Sequence, residues 1–445
     1  MVMVRKAVSV VALALLLTCG PTAVPASLAP SATAPKTAIA SGDVISLREG
    51  GQQSSIAVRR VATSELVRTV PDGVVMPDGV TIVTAVGGGA STLVKQVDRR
   101  TGSTIASRTI DGVWQLLRSY PQSTVSSPDG TKLALFGNSY NYTDASGSWT
   151  ARTTFGVLDL ATWRIDPIQL DGRFTLGGVS NDGHFAYVTE YSPPQLPSAS
   201  RFRVYDLTTR TLGEVSGDAI PSLPDVYRTT YVGGFAFELV SATETLQLSP
   251  DHVQVTPVTT LVRVDLSHRS VRTTRLPVAR ALTGEDTLAW SLVASRDGTT
   301  LYAVNPAAGI VSEIDVASLQ VRRSAPLNDA RSEPGPLDRV LALLHPVAYA
   351  KMGFATGALL SADGTTLYVL AIQGIWTIDV RTLSAKMLTR EGAYETLALS
   401  PDGARLYVIG REDGVVSAVD AQSGKVLGSM ERIAFPSEII AVDAD

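Results

Sequence analysis

Leu397-Ala398-Leu399-Ser400-Pro401-Asp402-Gly403-Ala404-Arg405-Leu406-Tyr407-Val408-Ile409 reads as a β-hairpin. One apolar run leads into Ser-Pro-Asp-Gly and a second, rich in β-branched and aromatic residues, leads out, the pattern of two strands joined by a tight turn. Gly403 can take the positive φ that such a turn needs, and Asp402 can accept hydrogen bonds from backbone amides two residues on. The same signature recurs as MPDG at 76–79, SPDG at 127–130, SNDG at 180–183, SRDG at 295–298 and SADG at 361–364, and SPDH at 249–252 reads as a degenerate seventh copy.

A second signature follows each first one. An apolar strand ends in Asp, a few polar or small residues turn the chain, and another strand begins: Asp98, Asp159, Asp206, Asp265, Asp315, Asp379 and Asp420. By subtraction their separations are 61, 47, 59, 50, 64 and 41 residues. Two hairpins repeating at that period make a four-stranded blade, and the fold expected is an all-β β-propeller of antiparallel four-stranded blades. Helical solenoids would need stripes of 3.6-residue period, which these short β-branched runs, punctuated by Gly, Pro and Asp, do not show.

The two ends of the chain extend the count. Ile439-Ile440-Ala441-Val442 reads as one more innermost strand, after which the copy stops, while Val44 to Leu47, Ile56 to Val61 and Leu66 to Val70 read as three strands without an innermost partner. Joined, they complete a composite blade and close the ring without exposed sheet edges at the seam. That makes eight copies. Residues 207–260, which lack the turn glycine, leave the count between seven and eight.

The order SPDG, Leu-Tyr-Val, then a strand ending in Asp resembles the YVTN-type propeller repeats of bacterial exported proteins. Ser400 to Gly403 with Leu406-Tyr407-Val408 and Asp420 carry the resemblance, as do Asp297-Gly298, Leu301-Tyr302, Val304-Asn305 and Asp315, and residues 361–383. It covers most of residues 76–430. What it implies is a seven-bladed propeller that binds a ligand or partner, with little said about chemistry.

Composition and the N-terminus bound the rest. Apolar residues are 44% of the 445 and charged residues 18%, enough material for a large core. A net charge of −4 without a basic run argues against a nucleic-acid partner. The single cysteine forms no intrachain disulfide. Arg5 and Lys6 precede an apolar run from Ala7 to Leu17, the n- and h-regions of a secretory signal expected to span residues 1–26 and too short to cross a bilayer as a mature helix. Two processing points compete: Leu16-Leu17-Thr18-Cys19 resembles a lipobox, which would make Cys19 a lipidated N-terminus and the only membrane link, while Val24-Pro25-Ala26 offers an ordinary small-residue cleavage site. A Pro/Ala/Ser/Thr-rich linker at 27–40 then leads to a propeller domain at 41–445. The expected location is extracellular or in the cell envelope.

With strands lettered A to D from the axis outward, the A–B and C–D turns share one face and the B–C and D–A connections share the other. The Asp-marked turns fall on the first. The long irregular segments, 138–153 and 191–201 (B–C) and 111–122, 216–232 and 328–354 (D–A), fall on the second, which is the candidate binding face because recognition groups tend to sit on loops held by a rigid scaffold. Tyr120, Tyr140, Tyr142, Trp149, Tyr191, Tyr227, Tyr231 and Tyr349 lie in or beside these segments. Such amphipathic rings suit a protein, peptide or carbohydrate, and they equally suit packing of their own loops. Tyr187, Tyr302, Tyr368 and Tyr407, which share one strand position, are expected to pack between blades.

No catalytic residues, metal ligands or cofactor site are assigned. HExxH, GxSxG, P-loop and dinucleotide fingerprints are missing, Gly87-Gly88-Gly89 reads as a loose B–C loop, and His184, His252, His268 and His345 lie on separate copies. Propellers can assemble sites from distant blades, so two readings stay open. The first is a binding module. The second is a hydrolase or lyase of the lactonase or streptogramin-lyase kind with an axial site.

Overall fold

Each aspartate of the second signature ends a C strand, and the ring has eight blades. The computed structural model describes residues 39, 41–50, 54–116, 126–137, 140–143, 149–194, 199–220, 226–249, 252–279, 289–327, 357–371, 374–390, 392–431, 433 and 436–445. Blade 1 is the composite one, with Pro436–Ala444 as its A strand and Asp43–Glu49, Ser55–Arg60 and Leu66–Pro71 as B, C and D. Blades 2, 3 and 4 span 74–111, 115–171 and 173–214, blade 5 spans 226–275, and blades 6, 7 and 8 span 291–326, 358–389 and 394–429.

Local hydrogen bonds explain the first signature. In Ser400-Pro401-Asp402-Gly403 the serine hydroxyl donates to Asp402 at 2.5 Å, the Asp402 carboxylate accepts the Ala404 amide at 3.0 Å, and the serine oxygen accepts the Arg405 amide at 2.9 Å. Gly403 stands at φ +73°, where a Cβ is disfavoured. The turns at Ser127, Ser180, Ser295 and Ser361 repeat the serine–aspartate bond at 2.5–2.6 Å.

The second signature closes a five-residue turn. The Asp159 carboxylate accepts the amides of Ala161 and Thr162 at 2.9 and 2.8 Å, and the amide of Trp163 returns to the Asp159 carbonyl at 2.8 Å. The fourth residue after the aspartate is left-handed throughout: Gly102 and Gly424, but also Trp163, Arg210, Arg269, Leu319 and Leu383 with φ between 53° and 63°. Leu319 and Leu383 are buried, so core packing offsets the backbone cost there.

Eight apolar clusters join the blades, one at each junction, including the one between blades 8 and 1. The four tyrosines expected between blades are there. Tyr187 of blade 4 donates to the carbonyls of Asp265 and Leu266 in blade 5 at 3.1 and 2.8 Å, and Tyr407 of blade 8 donates to the Asp43 carboxylate of blade 1 at 2.5 Å. Tyr302 and Tyr368 pack into the clusters of blades 7 and 8. Ile39, ahead of the expected domain start, is buried at the blade 8–1 junction.

Several sequence readings change, and the first is that residues 111–122, read as an irregular D–A connection, include the A strand of blade 3 at Gln115–Leu116. SPDH at 249–252 is no A–B turn: Ser249 and His252 pair as the last and first residues of the B and C strands of blade 5, Phe235–Ser249 and His252–Asp265. The A–B turn of that blade is Gly233-Gly234, both at positive φ, which reverses the chain without an aspartate. Residues 216–232 are no simple loop either, since Ser216–Gly217 adds a parallel edge to blade 5 and Val226–Val232 is its A strand. Gly88 pairs with Ser91, so the triglycine segment is a tight hairpin end rather than a loose loop.

Candidate functional site

The two faces of the ring differ in how their polar groups are used. On the face of the A–B and C–D turns, Asp297, Asp315, Asp363, Asp402 and Asp420 each accept hydrogen bonds from their own turn. Bonds from the Ser361 hydroxyl, then from the Thr365 amide and hydroxyl, hold Asp363 down to about 2; the Lys132 ammonium does the same for Asp159. These carboxylates serve the fold.

The opposite face carries extensions. In blade 3 the B strand Lys132–Phe136 is continued by Tyr140–Thr143, which pairs with the first part of the C strand Trp149–Asp159. Tyr140, Tyr142 and Trp149 therefore sit on a strand pair that reaches past the blade, with Tyr140 opposite Arg152 and Thr143 opposite Trp149. In blade 5 the A strand pairs with the B strand only as far as Val240, and the D strand reaches back along the C strand only to Thr260. Beyond those points Ser241 to Thr259 form a two-stranded ribbon, roughly 25–30 Å long at the rise of a β-strand.

Blade 4 lies between these projections. Tyr191, the penultimate residue of the B strand Phe185–Ser192, has the Arg173 guanidinium 5.6 Å from its ring centroid and accepts a hydrogen bond from the Thr175 hydroxyl at 3.4 Å. Arg173 and Thr175 are exposed on the A strand Arg173–Val179. Tyr231, on the A strand of blade 5, is turned to packing: its hydroxyl donates to the Gly177 carbonyl of blade 4 at 3.2 Å, and burial, with the nearby Glu238 charge, pushes its pKa well up. Tyr227 is on the same strand. Tyr120, Tyr349, Cys19 and His345 lie outside the described residues.

A cleft of 260 Å³ opens between blades 4 and 5, lined by Thr189, Ser200 and Phe202 on one side and Glu238, Val240 and Val271 on the other, with Asp218 and Ile220 at its edge. Glu238 is only 3% exposed. Further round, Val86 (65% exposed) and Leu93 (36%) pair across the blade 2 hairpin, placing two apolar side chains on the loop-bearing end.

Sequence reasoning missed one recurrent device. At the D–A connections an acidic residue and Gly are followed two positions on by an aromatic: Gly112 with Trp114, Gly172 with Phe174, Gly392 with Tyr394. A Cβ on these glycines would come within 2.7–2.9 Å of that ring. Thr92 locks the first by accepting the Trp114 amide and donating to the Gly112 carbonyl, and Thr153 does the same for Phe174 and Gly172. The repeat was there to be found in Asp111-Gly112-Val113-Trp114 and Asp171-Gly172-Arg173-Phe174.

Among the described residues no three His, Cys, Asp or Glu side chains gather as a metal site, and no helix is long and apolar enough to cross a membrane. His184 and His268 are exposed and contact the aspartates of their own turns. No family model and no curated protein matches the chain. Solved structures similar to it include the periplasmic gluconolactonase of Pseudomonas aeruginosa, 19% identical over 80% of this chain and 98% of that one with a TM-score of 0.40. AztD of Citrobacter koseri is 13% identical over 82% and 98%, TM-score 0.41, and hydrazine synthase of Kuenenia stuttgartiensis is 13% identical over 89% and 99%, TM-score 0.39. At these values the likenesses carry no activity or ligand to this chain.

Proposed function

We propose that this protein is an exported, YVTN-type β-propeller that works as a binding module, recognising a protein, peptide or carbohydrate on the face of its B–C and D–A connections. The observation that carries the reading is the division of labour between faces. Carboxylates on one side hold their own turns, while the other side carries the blade 3 extension with Tyr140, Tyr142 and Trp149, the blade 5 ribbon and the cleft whose lining residue Ser200 is the strand partner of Tyr191. Aromatic side chains give large contact area at small entropic cost, which is how binding surfaces concentrate their energy. Export rests on the N-terminal signal, and Cys19 is the proposed lipid attachment point.

Face blocking tests the reading. Gly88→Cys puts a thiol on the loop-bearing side where a Cβ meets nothing within 4 Å, and Asn181→Cys puts one in an A–B turn. A bulky maleimide adduct on the Gly88→Cys variant should abolish capture of the partner returned by a glycan, peptide or envelope-protein screen, and the same adduct on the Asn181→Cys variant should leave it intact. The reverse pattern would reject the assignment.

A further inference from the structure

The cleft between blades 4 and 5 has a lining that selects for a class of ligand, and the inference rests on the binding-face reading above. Its carboxylates, Glu238, Asp218 and Glu214, accept hydrogen bonds when ionised; Asp218 already takes the Thr273 amide at 2.8 Å and Glu214 the Arg201 guanidinium at 3.4 Å, and the acceptor sites left over suit an occupant that brings donors. A further anion is disfavoured by those same charges. Arg201, beside Glu214 at 3.4 Å, and the hydroxyls of Thr189 and Ser200 supply donors of their own, so the occupant must also accept. Phe202 completes the wall; its ring is stacked on Tyr187, centroids 6.0 Å apart, and with Ile220 and Val240 it offers apolar surface.

Groups that donate and accept around an apolar ring face describe a hydroxylated ring. We infer that this cleft binds a neutral sugar, one pyranose unit at a time, because its 260 Å³ lies just under the range of pockets that enclose a drug-sized ligand. Glu238 is the central acceptor: a Cβ at Gly177 would stand 3.0 Å from its Oε1, so the glycine of blade 4 leaves the room that the carboxylate occupies. The aromatic wall takes the C–H face of the ring, and the carboxylates take its hydroxyls.

Saturation-transfer NMR on the full mature chain with glucose, galactose, mannose and N-acetylglucosamine at millimolar concentration tests this, with putrescine and glucuronate as cationic and anionic probes. At least one neutral sugar should bind, and Glu238→Gln should weaken it about tenfold, the loss of roughly 1.4 kcal/mol. Glu238 is buried, so its variant could unfold. Ala219→Trp, at the exposed rim, fills the cleft without touching the core and should abolish the signal at an unchanged melting temperature. Absence of binding by all four sugars, sugar binding unaffected by Ala219→Trp, or binding of putrescine or glucuronate in place of the sugars would overturn the inference. If the cleft fails while the adduct on the Gly88→Cys variant still blocks the partner, the sugar assignment falls and the binding face stands.

Discussion

Arg99, the residue after the C–D aspartate of blade 2, holds the carboxylate of Asp443 at 2.5 and 3.1 Å, although 344 positions separate them. The same guanidinium donates to the Ser46 hydroxyl at 2.8 Å and is almost wholly buried. Blade 2 thus grips two strands of blade 1 at once, one from each end of the chain. Asp443→Asn should cost about 1–2 kcal/mol, the charged part of the bond, read as a shift in urea midpoint. Removing residues 436–445 deletes the strand that pairs with Asp43–Glu49, and the truncated chain should aggregate or lose its cooperative melt. An unchanged melting temperature would mean that the ring does not need this strand.

The tyrosines between blades separate packing from hydrogen bonding. Tyr407→Phe leaves the Asp43 carboxylate without its 2.5 Å donor at the seam, and Tyr187→Phe leaves two carbonyls of blade 5 without theirs; each should lower stability by about 1–3 kcal/mol. Tyr302 sits at the equivalent position with no hydroxyl partner among the described residues, and Tyr302→Phe should stay within about 0.5 kcal/mol of the parent. Chemical denaturation of the three variants side by side checks the ranking.

The left-handed residue of each C–D turn offers a test of backbone strain. Arg210 is exposed at φ +58°, so Arg210→Gly should stabilise the chain by about 1 kcal/mol. Leu383 has the same conformation but is buried between blades 6 and 7, and Leu383→Gly should destabilise by about 2–5 kcal/mol as its cavity opens. Calorimetric melts should move in opposite directions.

Acid should loosen the turns before it touches the apolar junctions. Asp363 and Asp159 are held to about 2, and Asp297, Asp315, Asp402 and Asp420 are also lowered by hydrogen bonds to their turn hydroxyls and amides. A depressed folded-state pKa contributes stability above the ordinary carboxylate value near 4 that disappears as pH falls through the folded value. The urea midpoint should therefore be flat above about pH 5 and fall between about pH 4 and 2. Asp363→Asn and Asp402→Asn together should shallow that slope, and a midpoint that does not move over this range would refute the role given to the turns.

Much of this architecture was legible because its signals are local. Ser-x-Asp-Gly is a self-contained hydrogen-bond network, so five turns announce themselves in sequence, and the composite blade follows from an unmatched strand at one end and three at the other. Blade 5 hid for the opposite reason. Gly233-Gly234 makes its turn by backbone freedom alone, and its long ribbon ends in a sequence that imitates the Asp-Gly turn of the other copies. The tyrosines were found as residues but not as geometry: whether Tyr231 faces solvent or the Gly177 carbonyl depends on the neighbouring blade, which no local pattern reports. The cleft, assembled from Thr189, Phe202, Ile220 and Glu238 of two blades, has no sequence signature at all.

The division between the two faces is tested most directly by one paired titration. Tyr142→Ala with Trp149→Ala removes aromatics from the blade 3 extension, and Asp129→Ala with Asp402→Ala removes the staples of two turns on the other side. With the partner in hand, calorimetric titration and a thermal melt of each pair should show the first losing about 1–4 kcal/mol of affinity at an unchanged melting temperature, and the second losing stability at unchanged affinity. Loss of binding by the turn variants at full stability, with the aromatic variants binding as the parent does, would contradict the account.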